Sequence, residues 1–372
     1  MKKRQIKLNS WLRWLIPILL IVGIEGVQFF PFVVENGYST GYYIAFSRFL
    51  RVLTGWIPFS LGDVLYIFLA LSIFINIIKE VSVLFKKQYT WMRFRKGLLK
   101  FIIIFMWIFI WFNVAWGLNY SRKGIIHQLQ LTKNEYHKQE VTLLANQLIQ
   151  KVNECRRQLK DTLLPKPSMD SIFEQANRSY AILAVEYPFL TYKNRSVKAS
   201  LYSPLGNYFG FTGYYNPFSG EAQVRNDVPR ILIPFITCHE MAHQLGYASE
   251  SEANFVGYLA ASSSTDVFFQ YSVYLDLFSY AQGEEIKLYL VDKDIPGLKA
   301  TLLQNRSKLD TLVKKDRREI REFFYKRENN ISPLISNMYD QYLKLNKQMA
   351  GINSYNEVIG WLLAYQQKYG RL

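Results

Sequence analysis

The sequence predicts a mostly α-helical protein: three N-terminal transmembrane helices, then an α-rich domain carrying a small β-hairpin or sheet. Three observations predict this. Long apolar runs crowd into the first 120 of 372 residues. Beyond them, hydrophobic residues recur at helical spacing, with only three short β-forming segments. One of the later helices carries His239-Glu240-Met241-Ala242-His243, a pattern with its own chemistry.

The apolar runs come first. Leu15 to Phe32 is broken only by Glu25 and Gln28, and Leu61 to Ile78 by Asp63 and Asn76. Phe101 to Leu118 reads FIIIFMWIFIWFNVAWGL without a charge. Each run is about 18 residues, enough to cross a hydrocarbon core once its flanks are added. The expected spans are about 12–33, 58–79 and 101–118, making residues 1–119 a membrane region and 120–372 a separate domain. The first run lacks a small-residue cleavage site and two spans follow it, so it reads as a retained anchor. Trp56, Trp107, Trp111 and Trp116 suit interfacial or lipid-facing positions.

Charge sets the expected orientation. Lys2, Lys3, Arg4 and Lys7 precede the first span, and seven Lys/Arg from Lys79 to Lys100 fill the second connection. The first connection holds only Arg48 and Arg51. Cationic loops stay in the cytoplasm. The N-terminus is therefore expected inside a bacterial cytoplasmic membrane, with residues after about 119 outside. Much of the net charge of +16 is topological, since residues 1–120 hold 14 Lys/Arg against 4 Asp/Glu, leaving only +6 for the rest. That is too little for a nucleic-acid partner.

After the third span, 119–124 reads as an exit segment and 134–160 as a helix with Val141, Leu144, Leu148 and Val152 on one side. Pro165 and Pro167 break the chain, and a helix over about 168–186 ends before Pro188. Residues 197–202, 210–215 and 221–224 are rich in β-formers. The last two flank Asn216-Pro217-Phe218-Ser219-Gly220, which predicts a hairpin. A strand edge beside the motif helix could pair with an extended substrate. Helices follow at about 229–246, 250–261, 265–281, 296–326, 333–348 and 354–368. The two cysteines, Cys155 and Cys238, make no disulfide framework and read as buried thiols.

His239 and His243 lie four apart, so on a helix both imidazoles project from one face, one turn apart, and can reach one Zn²⁺. Glu240 then lies beside the metal's open position, placed to take a proton from water. With only four histidines in the chain, chance would produce this pattern about twice in a thousand such sequences. A third protein ligand is needed. Glu250 and Glu252, on the next helix, are the two candidates. His127 and His137 read as surface residues.

The HEMAH helix followed by Glu250-Ser251-Glu252-Ala253-Asn254 resembles the gluzincin clan of zinc metallopeptidases. There the third ligand is commonly the Glu of an ExxAD or ExxAN pattern. The resemblance implies a zincin-like domain with Glu250 as ligand, and Asn254, one turn later, orienting a ligand histidine. Glu252 would need a different helix phase and stays open as an alternative. Gly246 is also found at that spacing in metzincins, but Ser249 stands where their third histidine would be. The whole layout resembles an uncharacterised family of bacterial membrane proteins with N-terminal spans, an exported HExxH domain and a tail like Met338 to Lys344.

The expected function is a membrane-anchored zinc peptidase or amidase acting outside the cytoplasm on a peptide, protein or cell-wall amide bond. Glu240 would move the proton, and Tyr258, Tyr339, Tyr342 or Tyr355 would stabilise the oxyanion. The alternative is a non-catalytic membrane sensor or scaffold with a structural metal. An intact Glu240 favours the enzyme, because a structural site has no need of a base.

Overall fold

A computed structural model describes residues 11–87, 89–132, 135–160, 164–346 and 357–372. The basic N-terminal cluster Lys2–Lys7, Tyr355 and the ends of the expected helices at 134, 347–348 and 354–356 lie outside them. The protein is mostly helical with one three-stranded sheet.

Two helices are long and apolar enough to cross a membrane: α4 (Leu61–Phe85) and α5 (Trp91–Ala115). A third span exists if α1 (Leu12–Val27) and the helical stretch Pro31–Thr54, which meet at 97°, are one broken span. The first apolar run is therefore not a straight helix. Proline disfavours helical backbone in the residue before it, and Phe30 sits outside the helical region with φ −117° and ψ 75°. The third run differs too, because its helix begins ten residues earlier, at Trp91. Thr90 caps it by accepting from the Arg93 amide.

The first connection, for which the sequence predicts no element, is helical. It comprises α2 (Pro31–Val33), a π-helical stretch (Val34–Tyr42) and α3 (Tyr43–Thr54). This segment folds onto the later chain. Glu35 is buried and pairs with Arg122 at 2.8 Å. Its carboxylate also accepts the Gly124 amide at the start of α6 (Gly124–Gln128). Asp63, near the start of α4, accepts from the Leu201 amide and the Tyr214 hydroxyl. A carboxylate on an apolar helix thus has its hydrogen bonds met by the domain rather than by lipid.

α7 (Lys138–Gln158) and α8 (Met169–Glu186) bury the residues their periodicity marked, among them Val141, Leu144, Leu148 and Val152. β1 (Val197–Ala199) comes next, then the one-turn α9 (Gly206–Phe209). β2 (Gly213–Asn216) and β3 (Glu221–Val224) form the expected hairpin. β1 adds in parallel to the other edge of β3, giving the order β1-β3-β2 and leaving one edge of β2 without a strand among the described residues.

α10 (Ile233–Gln244) and α11 (Glu250–Ser262) form the centre, and every residue from Thr237 to Gln244 is buried. α12 (Val267–Val291) packs along both α10 and α7 and runs ten residues beyond its expected end. The helix expected over 296–326 is two, α13 (Ile295–Lys308) and α14 (Thr311–Tyr325). Leu309 is extended between them, and the Asp310 amide bonds to the Asn153 side chain instead of a helical carbonyl. α15 (Ser332–Leu345) and α16 (Val358–Tyr369) close the described chain. A second apolar cluster, with Tyr38, Tyr43, Trp116 and Ala248, joins the membrane-proximal helices to the domain.

Candidate metal centre

α10 starts with Pro234 in its first turn, where a missing amide hydrogen costs nothing. It stops at Gly246, whose φ of +87° suits glycine. A Cβ there would also stand 2.8 Å from the Tyr43 ring. The carbonyls at the end of α10 have no intrahelical partner and are met from the membrane side. Tyr43 and the Trp116 indole donate to the His243 carbonyl, each at 3.3 Å. Ser47 and Arg51 donate to the Gln244 carbonyl at 2.8 and 2.9 Å, and the Arg51 cation suits a helix C-terminus.

α11 begins after Ser249, whose hydroxyl accepts from the Glu252 amide. It crosses α10 closely at Gly257, where a Cβ would lie 3.0 Å from the His239 nitrogen. This approach carries Glu250 to the histidines. Glu250 Oε2 is 3.2 Å from His239 Nε2 and 3.6 Å from His243 Nε2. The three residues are buried, and their ligand atoms lie within 4.8 Å of one another, a cluster that could hold a metal ion.

The second nitrogen of each ring is held by an oxygen. His239 Nδ1 meets Asn254 Oδ1 at 2.7 Å, and His243 Nδ1 meets the Tyr247 carbonyl at 2.7 Å. A carbonyl oxygen only accepts, so each Nδ1 carries a hydrogen and each Nε2 is the ring atom turned toward Glu250, free to ligate a metal once it gives up its proton. Asn254 is itself held by the Tyr280 hydroxyl, which also bonds Asp276. Glu252 faces the other way, accepting from the Ile125 amide at 2.8 Å and from Ser249 at 3.1 Å. Glu250, and not Glu252, is thus brought to the histidines.

Glu240 is buried beside the cluster, and its Oε2 has no hydrogen-bond partner among the described residues. Burial, with help from Glu250, lifts its pKa to about 7 against the pull of both histidines. Burial disfavours the charged form of His243, but the Glu250 carboxylate outweighs it and raises His243 to about 9. Burial also disfavours charge on Glu250, yet the two histidines hold it well below the carboxylate range. Three coupled ionisable groups in a buried site form an arrangement suited to a divalent cation. β2 passes directly over Glu240, and a Cβ at Gly213 would stand 2.5 Å from its Oε1.

A family model matches residues 38–363, a stretch that takes in α3, both apolar helices and the whole cluster. The chain belongs to the family described as Protein of unknown function (DUF3810). No curated protein and no solved structure matches it.

Of the named tyrosines among the described residues, Tyr339 alone reaches the ligands, donating to Glu250 Oε1 at 2.6 Å. Tyr342 shares a hydrogen bond with Tyr120. Tyr258 is buried in the core beside Phe255 and Tyr365. His127 and His137 are exposed, and both cysteines are buried and free. Sequence reasoning missed Tyr43, Ser47, Arg51, Gly213 and Tyr280, and it placed Trp116 at the interface or facing lipid, whereas Trp116 is buried against His243. All act across long separations in the chain and carry no local motif.

Proposed function

We propose that this protein is a membrane-anchored zinc peptidase of gluzincin type, hydrolysing an amide bond in a peptide, protein or cell-wall substrate. The observation that carries the reading is the orientation of the two imidazoles. Asn254 and the Tyr247 carbonyl hold both Nε2 atoms toward Glu250, with Glu240 Oε2, unpartnered among the described residues, alongside. Two histidines and one carboxylate form a donor set that suits Zn²⁺ and leaves a position open.

His239, His243 and Glu250 would hold the ion. When bound, zinc would acidify water and polarise the substrate carbonyl. Glu240 would take the proton from attacking water and return it to the leaving amine. The Gly213 backbone, close against Glu240, lies where an extended substrate could pair with the β2 edge. The clustered positive charge before α1 and between α4 and α5 supports an orientation with the catalytic domain outside the cytoplasmic membrane.

Metal analysis of the purified protein should find about one zinc per chain. Glu240→Gln should retain that zinc while cleavage of a peptide library falls by about 10² or more. His239→Ala should lose both. A Glu240→Gln protein that serves the cell as well as wild type, where His239→Ala does not, would instead establish a non-catalytic scaffold.

A further inference from the structure

We propose that α15 and the turn around α9 form an apolar collar that inserts into the bilayer surface, so that the metal cleft takes polypeptide held at the membrane. The clause on substrate rests on the peptidase reading; the clause on the collar does not.

The first observation is an exposed apolar stripe. At about 100° per residue, Ile331, just before α15, and Leu334, Met338 and Leu345 within it fall within an arc of roughly 60°. These four side chains face outward: Leu334 and Met338 are each 62% exposed and Leu345 84%. Leu343, on the opposite face, is completely buried. A helix that packs on a water-facing domain turns its apolar stripe inward, whereas α15 buries only Leu343 and leaves this stripe exposed with most of the helix.

A second group of exposed apolar side chains lies against it. Leu201, Leu205, Tyr208 and Phe209 project from the turn that includes α9, which packs on α15. The Asn329 side chain, just before α15, donates to the Asn207 carbonyl and ties the two together.

Both groups are fastened to the end of the membrane hairpin where α4 begins and α5 stops. The Leu201 amide bonds the Asp63 carboxylate at 2.8 Å, and the Tyr202 hydroxyl bonds the Asp63 carbonyl at 2.8 Å. Tyr342 on α15 bonds Tyr120, five residues beyond the end of α5. The apolar surface of the two spans thus continues into the collar. A helix with an outward apolar stripe at that level is suited to lie in the interfacial plane.

The metal cluster shares this position. Tyr339, next to Met338 on the same helix, bonds Glu250. The Trp116 ring, directly after α5, stands 6.0 Å from the His243 ring. One aromatic layer therefore separates the metal cluster from the end of a membrane helix. A soluble polypeptide would have to reach a mouth bordered by lipid, whereas a membrane-tethered one arrives there already concentrated.

The test uses full-length protein in lipid nanodiscs. Leu334→Cys and Leu345→Cys are labelled with bimane, and Leu143→Cys, similarly exposed on α7, serves as the reference. Cys155 and Cys238 are buried, so unmodified protein supplies the labelling blank. Brominated acyl chains should quench the α15 labels at least twofold more than the reference, and aqueous iodide should do the reverse. Labels on α15 quenched by iodide alone, or shielded from both agents, would overturn the collar; the second result would mean that a protein segment covers the stripe.

For the substrate clause, a mixed-sequence fluorogenic peptide is compared with the same peptide anchored to the disc by an acyl chain. The anchored form should be cleaved at least tenfold faster, and the advantage should shrink severalfold in a Leu334→Ser/Met338→Ser/Leu345→Ser variant with unchanged zinc content, which keeps its spans in the disc but loses the collar's seat in the lipid. Equal rates on both peptides would overturn that clause. Quenching as expected, with neither peptide cleaved by zinc-loaded protein, would overturn the peptidase reading and leave the collar standing.

Discussion

Replacing Gly213 with alanine tests the proposed role of Glu240 without touching Glu240. The added Cβ would stand 2.5 Å from Glu240 Oε1, 2.8 Å from its Cγ and 2.9 Å from its Cδ. Carbon and oxygen need nearly an ångström more, so the carboxylate must move by about 1 Å, a misplacement that can cost about 10² in rate. The backbone itself should tolerate the change, because Gly213 is not among the residues with positive φ. Loss of unfolded-chain freedom favours alanine by about 0.5 kcal/mol, which offsets part of the crowding. Zinc content should stay at the wild-type value, since the three atoms nearest the added Cβ all belong to Glu240 and none to a ligand. Peptide cleavage should fall by about two orders of magnitude, and Gly213→Ala/Glu240→Gln should lose little more than Glu240→Gln alone, because both changes act on one group. The assay combines metal analysis, thermal unfolding and initial cleavage rates. Full turnover by Gly213→Ala, with Glu240→Gln inactive, would refute the idea that the position of this carboxylate limits the reaction.

Three further outcomes follow from the same geometry. Glu250→Ala should empty the metal site, whereas Glu252→Ala should keep zinc and lose about 1–3 kcal/mol of stability by leaving the buried Ile125 amide unmet; Asn254→Ala should cost about tenfold in zinc affinity by freeing the His239 ring. Asp316→Ala should destabilise the domain in thermal or denaturant unfolding by about 3 kcal/mol, because it removes the buried carboxylate that Arg156 meets at 2.7 Å and the acceptor of Tyr271. A reporter fused after Leu372 that works only outside the cytoplasm should be active, and activity of a cytoplasm-only reporter would reverse the proposed orientation.

Much of this molecule is legible along the chain because its determinants are local. Two histidines four apart define a shared helix face, and the asparagine one turn after Glu250 defines the phase of the next helix. The hairpin was readable from its turn residues, and α4 from an apolar run of membrane length. The choice between Glu250 and Glu252 was decided by the close crossing of α10 and α11 at Gly257. That crossing is a packing property of two helices and has no motif. The same holds for the break at Leu309, where an Asn153 side chain over 150 positions away takes over a backbone amide. It holds again for the first connection, whose Tyr43, Ser47 and Arg51 meet carbonyls that α10 cannot satisfy internally. Local periodicity determined which residue types share a helix face and where the chemistry could reside. Only the tertiary structure decided which of those groups meet, because unsatisfied backbone groups and close approaches are settled by whichever distant segment the fold brings within hydrogen-bond reach.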